Sequence, residues 1–528
     1  MNLSSVAPSS FMNLPSSLHT FRLEYCGLQV NFIDYIHSST LISLDLSFNY
    51  DLVLDTIMFN KLVQNLPSLI EVDLRFVNMS LVEPISLMNL SSSLSSLQLL
   101  NCGLRGEFPG NLLQRPNLRV LDLWGNYDLI GCLPRSNWSC SLERLSLSYT
   151  KIAIHLEGDL INNLSGQIPL EFGNLEHLTS LDLSFNNFSG QIPLAFGNLE
   201  HLRVLDLSFN NFSGQIPFSL ANLKQLFYLD LDNNNLSGAI PNSFANLAQL
   251  RYLMLSNNRG MNNFQGSIPA SFSKGNSLRY LNFNGNQLGG QIPPSIANCK
   301  NLEVLDIGNN KIDDTFPVFL ETLTQLQVLV LRSNKLHGFL KGATANYSFS
   351  KLRIVDMSSN SLSGTLPLDY FSSLEAMIAP DQNIGYMGAN TRTNTYRYSV
   401  HMTWKGWGIE LIKIQTVLTI IDFSANKFTG NIPWSIGKLK SLIQLNLSHN
   451  YLTGNIPHLL GKLKNLESLD LSSNMLTGKI PTQLVNLIFL SVFRVSHNQL
   501  EGRIPLGKQL DTLIVVHMKE TQDCVDFP

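Results

Sequence analysis

The chain has 528 residues with a formal net charge of −3, and 14% of its residues are charged. A nucleic-acid-binding surface needs a basic stripe that this composition does not supply, so we expect no nucleic acid among its partners. The sequence also contains no run of roughly 18 apolar residues and no basic and apolar leader at Met1 to Val6, which predicts neither a transmembrane helix nor a signal peptide.

A unit of about 24 residues recurs along most of the chain and is clearest from Leu202 to Gln225. Side chains alternate on an extended segment, so Leu205 and Leu207 point inward and a short strand is predicted there. Asn210 follows, and its amide can donate to and accept from the backbone of successive turns. The period predicts an α/β repeat solenoid, a curved superhelix with a parallel β-sheet on its concave face.

The position of Asn210 can be followed along the chain and defines its coils. We expect about 14 coils over residues 1–374, an insertion over 375–417 that we call the island, four coils over 418–506 and a divergent tail over 507–528. The early coils are irregular, with a half coil at 151–159. The position is occupied in turn by Cys26, Asn49, Val77, Cys102, Asn126, Thr150, Asn186, Asn210, Asn234, Asn258, Asn286, Asn310, Asn334, Asn360, Asn426, Asn450, Asn474 and Asn498.

The island is rich in tyrosine, tryptophan, asparagine and threonine, which is too aromatic for a flexible linker. The repeat pattern resumes in frame after the island. We therefore expect a folded excursion from one coil that folds back over neighbouring coils. Its aromatic residues form either a small core, the favoured interpretation, or a contact surface. The island candidates are Tyr396, Tyr398, Trp404, Lys405, Gly406 and Trp407, with Lys405-Gly406 as a turn.

The repeat explains why residue types that often act in catalysis occur in this sequence. Aspartates recur at one repeat position, from Asp182 to Asp470, and we interpret them as a periodic solvated row rather than as acid–base pairs. The chain has no phosphate-binding glycine motif, no kinase signature and no metal-ligand motif. We expect a protein that is not an enzyme and that needs no cofactor or metal.

Binding candidates are outward positions at which the chain departs from the repeat consensus. Tyr228, Tyr252 and Tyr280 hold the same outward position in three successive coils. Tyrosine offers contact area and a hydroxyl at low entropic cost, so we predict a ligand surface here, although such tyrosines can also merely cover the sheet. The other candidates of this surface are Met254, Asn282, Val330 and Arg332.

Asn-X-Ser sequons recur because the repeat generates them, or because the chain belongs to an extracellular class. Cys132 and Cys140 flank a short excursion and can pair in an oxidising compartment, whereas the remaining cysteines do not decide the compartment. The glycosylation candidates are Asn78, Asn89, Asn137, Asn163, Asn187, Asn211, Asn235, Asn346 and Asn446.

The coil form FSGQIP at 212–217, with LSGAIP at 236–241, resembles the plant type of leucine-rich repeat. The motifs at 405–414 and 421–433, followed by four coils that end in LEGRIP at 500–505, resemble the ectodomain of plant receptor-like proteins. This is the class that includes the Cf- and Ve-type disease-resistance receptors. The resemblance covers nearly the whole chain.

The resemblance implies a glycoprotein on the extracellular face of the plasma membrane, acting in plant defence or development. It has no kinase of its own, binds an extracellular peptide, protein or glycan, and signals through a leucine-rich-repeat receptor kinase adaptor and co-receptor. The concave face and the island would perceive the ligand, and the last coils would dock the co-receptor. Because the chain departs from the family at both ends, we expect a truncated receptor.

Two alternatives stay open at this point. A secreted inhibitor of a pathogen cell-wall hydrolase, of the polygalacturonase-inhibitor kind, is similar in coil type. Such inhibitors are shorter arrays without an island, so the island counts against this alternative. The chain can also be a nonfunctional or decoy receptor fragment.

Overall fold

The structure is a computed structural model, and it describes most of the chain. The described residues are 17–28, 33, 36–134, 136–153, 168–258, 264–340, 349–379, 385–388, 398–507 and 509–510. Most of the expected half coil at 151–159 lies outside this part, as do Cys524 and nearly all of the tail expected over 507–528.

The chain forms two compact units, residues 1–250 with 257–263, and residues 251–256 with 264–528. In the first unit, short inner strands pair in parallel, each with the inner strand of the next coil. These strands are Thr20–Arg22, Ser43–Asp45, Glu71–Asp73, Ser96–Gln98, Val120–Asp122, Arg144–Ser146, Ser180–Asp182, Val204–Asp206 and Tyr228–Asp230.

The second unit repeats this arrangement with its own inner strands, again parallel and in register. Ile354 pairs with Ile420, so the island between them leaves and rejoins the sheet at adjacent strands. The strands are Tyr252–Met254, Tyr280–Asn282, Val304–Asp306, Val328–Val330, Ile354–Asp356, Ile420–Asp422, Gln444–Asn446, Ser468–Asp470 and Val492–Arg494.

Nearly every described coil returns through a second short strand on its other side. In the first unit these strands are Val53–Asp55, Asn78–Leu81, Arg105–Phe108, Asp128–Cys132, Lys151–Ala153, Ser189–Gln191, Asn211–Gln215 and Asn235–Ser237. In the second unit they are Gln265–Ser267, Gln287–Gly290, Lys311–Ile312, His337–Phe339, Ser361–Thr365, Lys427–Asn431, Tyr451–Asn455, Met475–Lys479 and Gln499–Glu501. The parallel pairing of successive coils confirms the predicted α/β repeat solenoid.

Short helices complete most coils, and within the described residues none is long and apolar enough to cross a membrane. The α-helices are Thr56–Asn65, Leu368–Ser372 and Glu375–Ile378. The 3-10 helices of the first unit are Pro84–Asn89, Gly110–Gln114, Leu170–Asn174, Leu194–Asn198, Phe218–Asn222 and Asn242–Asn246. Those of the second unit are Pro294–Asn298, Val318–Thr322, Trp434–Lys438, His458–Lys462 and Thr482–Asn486.

The coil that contains Asn210 shows why this sequence adopts the fold. Leu205 and Leu207 are fully buried, as the alternation predicted. The side-chain nitrogen of Asn210 donates to the carbonyl oxygen of Leu183 in the preceding coil at 2.8 Å, and its oxygen accepts from the backbone N–H of Phe188 at 2.9 Å. Since buried backbone groups need partners, this amide joins adjacent coils, as predicted.

The cysteines of the described residues are free thiols. Cys26 and Cys102 are buried at the repeat position that Asn210 defines. The thiol of Cys102 donates to the carbonyl oxygen of Leu74 at 3.0 Å. Cys132 is half-buried and Cys140 is exposed, and neither forms a disulfide in this structure. The pairing considered for these two cysteines is therefore absent here.

Candidate functional site

The island contains an antiparallel hairpin, Val400–Trp404 with Trp407–Leu411, in which Trp404 pairs with Trp407. Lys405 and Gly406 form its two-residue turn with φ angles of 53° and 93°. A two-residue hairpin of this hand needs positive φ at both turn positions, and glycine meets that need at the second. The expected turn at Lys405-Gly406 is therefore present, and we call this element the island hairpin.

One end of the island hairpin is anchored on the inner sheet of the second unit by tyrosines. The ring of Tyr398 stacks on the ring of Tyr280, with centroids 5.3 Å apart and planes at 17°. The hydroxyl of Tyr280 donates to the carbonyl oxygen of Ser399 at 2.7 Å, and the hydroxyl of Tyr398 donates to Oε2 of Glu303 at 2.8 Å. Stacking and charge-assisted hydrogen bonding together fix this end.

The turn of the island hairpin is anchored on the coils that follow the island. Oε1 of Gln444 accepts from the backbone N–H of Lys405 at 2.8 Å, and its Nε2 donates to the carbonyl oxygen of Thr403 at 2.7 Å. The ammonium group of Lys405 lies 2.7 Å from Oε2 of Glu467. One glutamine therefore satisfies a donor and an acceptor of the hairpin backbone, and an ion pair adds to it.

Between these two anchors the sheet is buried on both faces. Val400 and Met402, which alternate with partly exposed residues on the first hairpin strand, are 1% exposed. The inner-strand residues that point away from the core are also 0% exposed. They are Tyr280, Val304, Val328, Val330, Ile354 and Ile420. We infer that the island hairpin covers this part of the sheet, because strands buried on both faces are apolar throughout.

This burial includes most of the predicted ligand surface of the second unit. Tyr252 and Met254 are 8% and 5% exposed, and Asn282 is 2% exposed. Together with Tyr280 and Val330 they do not form an open surface, because the island occupies the space into which they point. Their role as direct ligand contacts stays untested, but their position favours the alternative that these tyrosines cover the sheet.

Carboxylates lie in this same buried region. Asp306, Asp356 and Asp422 are at most 2% exposed, so the expectation of a solvated aspartate row is wrong here. Burial raises the pKa of Asp306 to about 6, despite hydrogen bonds from Gly308 and Asn284 that favour the charged form. Burial first, and then the charge of Asp356, raise the pKa of Asp422 to about 7.

A cation beside these carboxylates is Arg332, whose side chain is 16% exposed and whose Nη1 lies 3.9 Å from Oδ2 of Asp356. Arg332 is thus a residue of the predicted ligand surface that forms an ion pair with a buried carboxylate. We interpret its first role as electrostatic compensation below the island hairpin rather than ligand contact.

The outer side of the island hairpin remains open to solvent. Trp407 is 77% exposed and Ile412 is 68% exposed. Trp404 is half-buried, and the Lys405 ammonium lies 5.3 Å from the centre of its ring. Of the island aromatics, Tyr398 therefore packs on the sheet and Trp407 is a surface residue, while Tyr396 lies outside the described residues.

Comparison with known families identifies the repeat. Models described as "Leucine Rich Repeat", "Leucine rich repeat" and "Leucine Rich repeats (2 copies)" match several parts of the chain. The matched residues are 177–199, 201–223, 216–259, 276–319 and 416–476.

Two relatives from Arabidopsis thaliana are similar to part of the chain. Receptor-like protein 52 is 47% identical over 106 residues, which are 19% of this chain and 13% of that protein. Receptor-like protein 43 is 48% identical over 101 residues, which are 18% of this chain and 14% of that protein. The chain contains leucine-rich repeats and is similar to the ectodomains of plant receptor-like proteins. The matches span far less than two thirds of either relative, so they carry over no activity of the whole protein.

Solved receptor ectodomains share the fold over most of this length. The plant peptide hormone receptor RGFR1, solved in complex with RGF2, matches 94% of this chain and 73% of its own chain, with a TM-score of 0.73 and 28% identity. The leucine-rich-repeat ectodomain of GASSHO1/SCHENGEN3 from Arabidopsis thaliana, in complex with CASPARIAN STRIP INTEGRITY FACTOR 2, matches 93% and 60%, with a TM-score of 0.61 and 26% identity. Both likenesses support the receptor-like ectodomain.

Tyr228 belongs to the first unit and differs from the other two tyrosines of its predicted row. It is only half-buried, and its hydroxyl donates to Oδ2 of Asp230 at 3.1 Å and lies 3.4 Å from Oδ2 of Asp206. Burial raises the pKa of both aspartates. Tyr228 therefore keeps an accessible ring beside carboxylates and remains a candidate contact of the receptor-like ectodomain.

The sequons also differ in their surroundings. Asn446 lies on an inner strand, where its Nδ2 donates to Oδ2 of Asp422 at 3.0 Å and its Oδ1 accepts from the hydroxyl of Ser448 at 2.8 Å. This sequon is best explained as a by-product of the repeat. Asn163 and Asn346 lie outside the described residues, and the exposed sequon asparagines are Asn78, Asn89, Asn137, Asn187, Asn211 and Asn235.

The anchors of the island hairpin were not among the residues predicted from the sequence. Glu303, Gln444 and Glu467 were missed, because each occupies a variable repeat position that a single sequence does not distinguish. One signal was available. Val304 and Ile420 place apolar side chains on the outward side of inner strands, and such strands are usually buried on both faces.

Proposed function

We propose that this protein is the peptide-binding ectodomain of a plant cell-surface receptor that lacks its own kinase and signals through a partner receptor kinase. Support comes from its likeness to receptor-like proteins and to solved receptors of peptide hormones. One solved relative, the receptor kinase HAESA, forms its complex with both the peptide hormone IDA and the co-receptor SERK1. A peptide therefore has more support as ligand than a glycan.

The observation that carries the proposal is the exposed tip of the island hairpin. Trp407 is 77% exposed, yet the turn beside it is held by Gln444 and by the ion pair of Lys405 with Glu467. A side chain on a backbone that is already held in place adds less ordering cost on binding, and tryptophan is enriched among residues that dominate interface energies. The tip of the island hairpin is therefore the ligand anchor that we propose.

This assignment moves the ligand from the bare concave face of the second unit to the outer side of the island. The inner strands below the hairpin are buried, so a ligand reaches the second unit by contacting Trp407 and Ile412. The partner receptor kinase would then contact the nearby coils that follow the island, as the family resemblance implies.

The test compares peptide capture by two tryptophan variants. The whole chain is secreted behind an added signal sequence, immobilised, and exposed to the peptide fraction of plant extracellular fluid, with bound peptides identified by mass spectrometry. The variant is Trp407→Ala. The matched control is Trp434→Ala, because Trp434 is 51% exposed but lies on the helix Trp434–Lys438 outside the island.

We expect a defined peptide to be retained by the native chain and by Trp434→Ala, and to lose about tenfold or more in affinity with Trp407→Ala, as a central tryptophan anchor does. The captured peptide is then synthesised and titrated by calorimetry. Equal binding to all three proteins would refute the role of Trp407. Absence of any specifically bound peptide, with the native chain folded, would refute peptide binding.

A further inference from the structure

We call the inner strands beneath the island hairpin its seat. This seat carries more negative than positive charge. Asp306, Asp356 and Asp422 lie on the inner strands below the hairpin, and the described cation among them is Arg332. Neighbouring coils at the same repeat position carry neutral residues instead, such as Asn282 and the Asn446 that bonds Asp422. Three carboxylates therefore share one guanidinium in a region closed to solvent.

Several polar atoms of this group have no hydrogen-bond partner in the structure. These are Oδ2 of Asp306, Oδ2 of Asp356 and Nε of Arg332. The other oxygen of each aspartate is engaged, since Oδ1 of Asp306 accepts from Asn284 at 2.8 Å and Oδ1 of Asp356 accepts from the hydroxyl of Ser358 at 2.6 Å. An ionised oxygen that is buried without a donor is costly, whereas a protonated one is much less so.

The titratable groups that surround this cluster have partners of their own. On the hairpin, Nε2 of His401 lies 3.5 Å from Oε2 of Glu410 on the adjacent strand. Lys405 pairs with Glu467 at the turn. These groups either move with the hairpin as a pair or lie at its edge, and the described cation that pairs with the buried aspartates is Arg332.

The two ends of the hairpin behave in the same way. At one end, Tyr398 bonds Glu303, whose other oxygen lies 3.4 Å from Nη1 of Arg279. At the other end, Nη1 of Arg494 lies 3.4 Å from Oδ2 of Asp470. The excess negative charge is therefore confined to the seat beneath the hairpin.

We propose that the island hairpin is a proton-dependent cover, which closes over the inner sheet when Asp306 and Asp422 are protonated and lifts when these carboxylates ionise. Lifting the hairpin exposes the carboxylates to water and relieves the repulsion between Asp422 and Asp356. It also uncovers the tyrosines and valines of the inner strands. The cover operates without any ligand and does not depend on the proposed peptide.

The direction of the pH dependence follows from proton linkage. In the closed state the pKa of Asp306 is raised to about 6 and that of Asp422 to about 7, mainly by burial. In an open state these carboxylates meet water and their pKa values fall towards that of a free aspartate. Closing therefore takes up protons, so closure is favoured at low pH and is lost as pH rises through about 6 to 7.

The test measures hydrogen exchange of the island hairpin backbone in the whole chain at about pH 5 and about pH 8, with exchange times scaled to the chemical exchange rate at each pH. The variants are Asp306→Asn and Asp356→Asn. Each amide keeps an oxygen that can accept the hydrogen bond of Oδ1 and removes the charge with nearly the same side-chain shape. The control is Asp182→Asn, at the same repeat position in the first unit. His401→Gln removes any contribution of this histidine to the pH dependence of hydrogen exchange.

We expect protection of residues 400–411 to be about tenfold or more greater at the lower pH. Asp306→Asn should raise protection at the higher pH and flatten the dependence, and Asp356→Asn should act in the same direction by relieving repulsion on Asp422. Asp182→Asn and His401→Gln should behave like the native chain. Protection that does not vary with pH, or a pH dependence abolished by His401→Gln alone, would overturn the proposal.

Discussion

Gln444 joins the inner sheet to the turn of the island hairpin through both ends of its amide, accepting from the N–H of Lys405 at 2.8 Å and donating to the carbonyl oxygen of Thr403 at 2.7 Å. Gln444 is 2% exposed, so both hydrogen bonds lie away from water. A side chain that satisfies two backbone groups of a neighbouring element fixes the position of that element. The island is therefore attached to the scaffold rather than suspended from its two ends.

Replacement of Gln444 by alanine should release the turn. Two hydrogen bonds to backbone groups are lost, which we expect to cost about 1–3 kcal/mol in the local opening free energy. Hydrogen exchange of residues 403–408 should accelerate roughly ten- to a hundredfold by the same estimate. Gln444→Glu, measured alongside at neutral pH, can still accept from Lys405 but places a buried carboxylate oxygen against the carbonyl oxygen of Thr403, so its effect should be at least as large as that of alanine. Unchanged exchange in both variants would show that Glu467 alone holds the turn.

The tyrosines of the predicted row should differ sharply in their contribution to stability. Tyr280 is fully buried below Tyr398, so Tyr280→Ala creates a cavity and should cost about 3–5 kcal/mol. Tyr228, at the same repeat position, is half-buried, and Tyr228→Ala should cost about 1 kcal/mol. The midpoints of chemical denaturation would measure this difference. Equal losses would contradict the arrangement in which the island covers only one of the two tyrosines.

The repeating part of this structure could be predicted from the sequence because it is local. Leu205 and Leu207 point inward by strand alternation, and Asn210 can bond adjacent coils wherever the coil recurs. Each of these interactions connects residues about one period apart, so one coil contains the information needed to place it. The register of the inner strands and the asparagine hydrogen bonds between coils can therefore be predicted without knowledge of distant parts of the chain.

The seat of the island hairpin could not be predicted in this way because it joins residues far apart in sequence. Tyr280 meets Ser399 and Tyr398 meets Glu303, across separations of 119 and 95 residues. From the repeat alone, an outward tyrosine looks exposed, and an outward aspartate such as Asp306 looks solvated. Both expectations of exposure reverse once another element covers that face of the sheet, whereas the binding role of these residues stays a prediction.

The sequons should be modified selectively when the chain is secreted from plant cells. Asn211 and Asn235 are exposed at the start of outer strands, and we expect glycans on both. The amide of Asn446 is used in hydrogen bonds to Asp422 and Ser448 within the inner sheet. A glycan on Asn446 would displace the island hairpin, because the inner strand that carries Asn446 also holds the turn of the hairpin. Glycopeptide mass spectrometry of the folded protein should find Asn446 unmodified, and a high occupancy at Asn446 would contradict the closed island.

A final prediction separates backbone conformation from packing at the hairpin turn. Gly406 has φ +93°, and a Cβ built there would lie 2.8 Å from Nη1 of Arg494, whereas one on Gly408 would meet nothing within 4 Å. Gly406→Ala should therefore destabilise the hairpin by about 1–2 kcal/mol, since L residues disfavour this region, and Gly408→Ala should change little. Hydrogen exchange of the hairpin would measure both.

The combination of Gly406→Ala with Arg494→Ala identifies the source of that cost. The guanidinium of Arg494 is the flexible end of a long side chain and can move aside, although this weakens its 3.4 Å contact with Asp470. Most of the cost should therefore come from the backbone, and Gly406→Ala should be nearly as damaging when Arg494 is already alanine. Full rescue by Arg494→Ala would instead assign the cost to packing of the turn on the last coils, because a double-mutant cycle isolates the pairwise contribution.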